Sequence, residues 1–275
     1  MSERSSRISL DHFCNSVMEN FGSEYLRKPT VTDVVKLYWY HEEKHGFSGM
    51  LGSLDCTDWE WFGCPYTFKG KYVRRDHGLN SFILLEVVAW HAFFGVAGSN
   101  NDINVLYQSP LFNDLKTRRA LEIPFVANGV TYPWGYYLVE MIYSELATLV
   151  KKIPEPVDDD HKRILYKLKQ ESARKDVERA FVVLKKKLPI LANPTRALKK
   201  KRIMNMMYTC IILHNMIRKF KGVTISPTWF PEEAPHPDDI ERSPEQVRQV
   251  IRWNRLAQAH QNLRAELIEH LSRNV

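Results

Sequence analysis

Three carboxylates stand where a chain could use them for chemistry. Asp55 closes the apolar run Met50-Leu51-Gly52-Ser53-Leu54, inside the stretch GSLDCTDWEW. Glu140 closes a second apolar run, Gly135-Tyr136-Tyr137-Leu138-Val139, and Glu178 lies further on in a basic segment. Acids at strand ends have two readings. An Asp there bonds readily to its own backbone in a turn. A carboxylate held on a rigid element is also the hard oxygen ligand that magnesium or manganese prefers to His or Cys. Two such metals can activate a water and stabilise the leaving oxygen of a phosphodiester. That chemistry needs no Ser/His or Cys/His nucleophile.

Strands and helices in alternation must position these acids. Residues 1–46 are polar, with short helical patterns such as Val31 to His45. Strands are predicted over Met50–Asp55, Ser81–Ala89 and Trp90–Gly98. Behind Gly98-Ser99-Asn100-Asn101, Asp102 leads into Ile103-Asn104-Val105-Leu106 as a helix start does. A strand over 135–139 follows, then a long basic helix from about Asp159 to Lys187. Its apolar stripe is Val177, Phe181, Leu184 and Leu188, with Glu178 on the flank beside Arg174 and Lys185. The stretch IMNMMYTCIILHNMI predicts a buried helix over 202–220. Pro227, Pro231, Pro235 and Pro237 mark an irregular linker, and 244–273 reads as a charged amphipathic helix. Three strands, a helix, a strand carrying an acid and a helix carrying an acid form the order of an RNase H-like fold. The expected class is α/β (mixed α+β), a mixed central sheet flanked by helices with a further helix at the C-terminus. The expected divisions are a helical N-terminal remnant over 1–46, the core over 47–220, and linker plus helix over 221–275.

The 275 residues are 44% hydrophobic and 12% aromatic, enough for one good-sized core and too apolar for a disordered chain. Cys14, Cys56, Cys64 and Cys210 show no paired spacing, which predicts free thiols in a reducing compartment. The longest apolar run, Ser81–Gly98, is broken by Glu86 and His91, so no membrane span is expected. Charge is uneven. Residues 151–221 carry 20 Lys and Arg against 7 Asp and Glu, while the remainder carries 19 against 25. One region facing a polyanion accounts for that asymmetry, and so does a solvated helical face.

Five blocks extend the pattern into a resemblance: GMLGSLDCTDWEWFGCP, WHAFFGVAGSNNDINVLYQSPLF, GYYLVEMIYSELATLVKK, ARKDVERAFVVLKK and CIILHNMI. In this order they closely resemble plant-type PIF/Harbinger transposases and their domesticated, ALP-like descendants. The likeness runs from about Phe47 to Phe220 and returns weakly in NLRAELIEHL. It implies a DDE nuclease with magnesium or manganese, acting on DNA in the nucleus. It also implies a Myb-like partner protein for DNA recognition or, in domesticated relatives, a chromatin complex. The family's first Asp falls on Asp55 and its third acid on Glu178. The second Asp position is Glu140, and Asp102 also matches a family residue. That last position suits a helix cap or loop organiser as well as a metal ligand.

The chain departs from the family pattern at four points. Glu140 replaces the Asp, moving a carboxylate by about an ångström, and misplacement of that order can cost about a hundredfold in rate. Asp58 stands where the family has His, and the hairpin between Ala89 and Trp90 is shorter than in relatives, which should strain the sheet. Only about 46 residues precede the core, where the resemblance implies a longer region of helix-turn-helix character. Other matches have bland readings. Glu178 could be a surface partner of Arg174; His214 and Asn215 fit hydrogen-bonded core groups; Trp59 and Trp61 fit packing at a strand end as well as base stacking. Lys199, Lys200, Lys201 and Arg202, with Lys185, Lys186 and Lys187, are candidate phosphate contacts, with a solvated loop as the alternative for 199–202.

Overall fold

The computed structural model describes residues 2–73, 78–88, 91–110, 122–143, 146–157, 159–221 and 257–273. They form helices α1 (Glu3–Tyr25), α2 (Val31–His45), α3 (Tyr66–Tyr72), α4 (Asp102–Gln108), α5 (His161–Lys187), α6 (Lys200–Phe220) and α7 (Ala257–Arg273). The strands are β1 (Met50–Ser53), β2 (Asp55–Glu60), β3 (Phe82–Val88), β4 (His91–Ala97), β5 (Phe125–Ala127), β6 (Val130–Tyr132), β7 (Tyr136–Val139) and β8 (Leu149–Lys151). The class is the mixed α/β expected. These elements make two compact units that interleave along the sequence. One holds residues 1–28, 56–105 and 179–224, the other 29–55, 106–178 and 225–275. Helix α1 thus belongs to one unit and α2 to the other.

In the first unit the sheet has the order β2–β3–β4. β3 and β4 are antiparallel, with Val88 opposite His91 and an irregularity between Leu84 and Leu85. The short hairpin therefore keeps its ladder up to Val88 and His91; residues 89–90 lie outside the described ones. α6 packs on β4: a Cβ at Gly95 would meet Lys200 Cε at 3.0 Å and Met204 Sδ at 3.1 Å. Its buried residues are Ile203, Met206, Met207, Thr209, Cys210, Ile211, Ile212 and His214, whereas Phe220 is exposed. The helix is buried along one broad face rather than all round.

α1 covers α6 on another side. Arg202 Nη2 donates to Arg7 O at 2.7 Å, Thr209 Oγ1 to Cys14 O at 3.4 Å, and Lys219 pairs with Glu24 at 2.5 Å. Each of these pairs is separated by 195 residues, so the two helices run parallel. The polar N-terminal segment is two full helices, and α1 is structural.

The second unit is organised round the parallel sheet β1–β7–β8. Its core joins Val34 and Tyr38 of α2, Met50 of β1, Tyr136 and Leu138 of β7, Val150 of β8, Tyr166 and Ala173 of α5, and Leu263, Leu267 and Leu271 of α7. The three leucines recur at every fourth residue, the stripe that an amphipathic helix buries. The C-terminal helix, expected in a division of its own with the linker, contributes Leu263, Leu267 and Leu271 to this core. Of the predicted segment, 244–256 and the proline-rich stretch before it fall outside the described residues. α2 begins with a capping box, Thr30 and Asp33, and ends at Gly46 with φ +80°. A Cβ on Gly46 would lie 2.6 Å from Leu271 Cδ2, so this turn needs glycine for space as well as for conformation.

Several elements were not anticipated, among them α3, the hairpin β5–β6 and β8. Asn128-Gly129 closes a hairpin, β5–β6, and both residues have positive φ, 51° and 84°. Asn-Gly is the strongest short-range hairpin signal, so this one was legible. β8, three residues long, is too short to carry a pattern. The strand predicted to stop at Asp55 breaks at Leu54 instead, and Asp55 opens β2, which pairs with β3.

Candidate functional site

β1 and β7 run parallel, with Met50 opposite Tyr136, Gly52 opposite Tyr137 and Ser53 opposite Leu138. Leu54 N donates to Leu138 O at 3.0 Å. Asp55 and Glu140 follow directly at the C-terminal ends of these neighbouring strands. α5 is fastened to the same end, because Ser53 Oγ donates to Ala173 O at 3.1 Å and Ala173 is wholly buried. Arg174 follows Ala173 in sequence, and Glu178 lies one helical turn beyond it.

Arg174 is the centre of what results. Its Nη2 lies 2.7 Å from Glu140 Oε1 and 3.3 Å from Glu178 Oε1. The arginine side chain is 13% exposed, against 46% for Glu140 and 48% for Glu178. Its other terminal nitrogen, Nη1, is buried and has no hydrogen-bond partner. The structure therefore brings two of the three predicted acids together through a guanidinium. Among the described residues no group of three or more His, Cys, Asp and Glu side chains is placed to hold a metal ion. As arranged, the acids do not fit a divalent-metal cradle. Arg174 was visible in the sequence only as a neighbour of Glu178; its contact with Glu140 joins positions 34 residues apart, which helical spacing does not reveal.

Asp102 lies in the other unit and is the first residue of α4. The cap is its neighbour: Asn101 Oδ1 accepts from Asn104 N at 2.9 Å, and Asn101 O accepts from Val105 N at 3.0 Å. Trp59 and Trp61 are buried, donating from Nε1 to Asn193 O at 2.8 Å and to Ala197 O at 2.6 Å. Their rings are fixed in the fold, which removes them as base-stacking surfaces. Asn215 Nδ2 donates to Tyr25 O at 3.0 Å. His214 is buried with no partner at Nδ1, and burial first, then Lys187 and Arg218, pushes its pKa down to about 4. The four cysteines are free thiols.

The basic candidates divide. Lys185 reaches Thr57 Oγ1 and Asp58 O, both at 3.4 Å, and Arg202 Nε pairs with Asp11 at 2.6 Å. Lys186, Lys187, Lys199, Lys200 and Lys201 are exposed. Lys199 is the N-cap of α6, where no side chain bonds the first turn. Partial burial, then the ammonium of Lys71, lowers the pKa of Lys200.

A family model described as plant transposon protein matches residues 23–222. The chain belongs to the plant transposon protein family. The matched span takes in Asp55, Glu140, Arg174, Glu178 and every basic candidate; most of α1 and all of α7 lie outside it. No curated protein and no solved structure matches this plant transposon protein. No helix among the described residues is long and apolar enough to cross a membrane.

Proposed function

We propose that this chain is a transposon-derived DNA-binding protein on an RNase H-like scaffold of the PIF/Harbinger type, and that it holds DNA without cutting it. One observation carries the reading. Lys199, Lys200 and Lys201 crowd the N-terminal end of α6, where the helix dipole is already positive, and Lys71 adds its charge beside Lys200. Like charges gathered in this way repel one another until a polyanion neutralises them. The strand orders support the scaffold: β1 pairs in parallel with β7 and β7 with β8, and β2, which follows β1 in the chain, pairs in the sheet β2–β3–β4. Within this reading the protein works in the nucleus beside a Myb-like partner or a chromatin complex, as the resemblance implies.

The test is duplex binding across a salt series. Each lysine that contacts a phosphate adds about 0.9 to the slope of log affinity against log salt. Replacing Lys199, Lys200 and Lys201 together by Gln should flatten the slope by up to about 3 and weaken binding to all sequences alike. An unchanged slope rejects the reading. A second reading, a metal-dependent nuclease, draws on Asp55 and Glu140 at the ends of adjacent parallel strands and on Glu178 beyond them. Manganese-dependent nicking of supercoiled plasmid by the native chain, lost in Asp55→Ala, would favour it. Activity gained only in Glu140→Asp would make the extra methylene the defect.

A further inference from the structure

The disagreement between the expected metal site and the observed ion pairs has a specific physical content. Glu140 and Glu178 come from different elements, β7's end and α5, and both turn a carboxylate oxygen to one guanidinium nitrogen. A guanidinium cannot be deprotonated in a protein, so the positive charge between the two acids is permanent. It is also the shielded member of the group, far less exposed than either acid. Its unsatisfied Nη1 has a clear implication: the arginine is held by the two carboxylates, at the expense of a buried donor.

We propose that Arg174 is the resident cation of this acidic end and that it excludes divalent metal. It supplies the positive charge that draws Glu140 and Glu178 together, in the place where a divalent ion would do so. A metal ion would have to compete for carboxylate oxygens already engaged, close to a fixed positive charge that repels it. Removing that charge leaves two carboxylates on rigid elements, with Asp55 at the end of the neighbouring strand, and converts the ensemble into a site with affinity for hard cations. The proposal is independent of DNA binding and stands or falls by metal binding alone.

The experiment compares the native chain with Arg174→Gln and Arg174→Lys, using Mn²⁺ as the probe. Bound Mn²⁺ is read by water-proton relaxation and by thermal unfolding, since a ligand that binds only the folded state raises Tm. The native chain and Arg174→Lys should show neither signal beyond that of the native chain with Glu140→Gln and Glu178→Gln. Arg174→Gln should gain both, and should lose both again when Glu178→Gln is added. A relaxation signal in the native chain that disappears on Glu140→Gln overturns the proposal without any change at position 174. So does an Arg174→Gln protein that unfolds cooperatively and shows no Mn²⁺ signal.

Discussion

At the residue scale, the arginine between Glu140 and Glu178 and the histidines of the two cores act through the same quantity, the cost of charge away from water. His41 is buried on α2 beside His45, whose Nε2 lies 2.8 Å from Asp176 Oδ2. Burial first, then His45, pushes the pKa of His41 down to about 4. A histidine neutral in the fold takes up its proton more readily once unfolded. The unfolded chain therefore binds more protons between about pH 6.5 and 4, and stability falls as pH drops through that window. Urea unfolding at pH 7.5 and pH 5 should show a loss on the order of 2 kcal/mol from His41 alone. His214, displaced in the same direction, adds to it. Stability that is flat across the window would show that these rings are protonated in the folded chain. Asp176, which also receives Lys44 Nζ at 2.9 Å, works against this shift, because its negative charge favours the protonated ring of His41.

At the element scale, the sequence was informative where a pattern repeats and silent where it does not. The apolar runs ending at Asp55 and Glu140 are real neighbouring strands, because a parallel sheet buried on both faces demands continuous hydrophobic residues. The bounds of α5 and α6 came within two residues, since 3.6-residue spacing persists over many turns. What spacing cannot supply is the partner of a charged group. Glu178 beside Arg174 follows from an interval of four, but Glu140 beside Arg174 depends on how Ser53 docks α5. The same limit explains the capping of α4, where two polar residues in succession offered themselves. Asn101→Ala should cost about 1 kcal/mol through loss of the cap, and Asp102→Ala should cost less. Chemical denaturation separates the two, and the opposite ranking would return the capping role to Asp102. Helix α1 gives a further contrast. Read as a remnant, it should be dispensable; as the helix bonded to Arg202, Thr209 and Lys219 of α6, it is not. Deleting residues 2–25 should raise hydrogen exchange along α6 and expose apolar surface to a hydrophobic dye, while unchanged protection of α6 would make α1 an ornament.

At the scale of the whole molecule, charge is the property that composition made visible first. The excess of cations in 151–221 was ambiguous between a solvated face and a surface for a polyanion. The fold narrows the number of candidates, because Lys185 and Arg202 are engaged with protein groups while five lysines face outward. The predicted salt slope is therefore that of a few phosphate contacts, well below what the formal excess would give. A slope near the full excess would mean that cations elsewhere in 151–221 carry the binding.

The pairing of α1 with α6 also sets a timetable. Thr209 meets Cys14 across 195 residues, and α7 closes the other core from near the end of the chain. At about 5–20 residues per second, α1 waits roughly 10–40 s on the ribosome before its partner exists. The buried faces of both units are thus left open through most of synthesis. A cell making this protein must keep an early, sticky helix from finding another partner first.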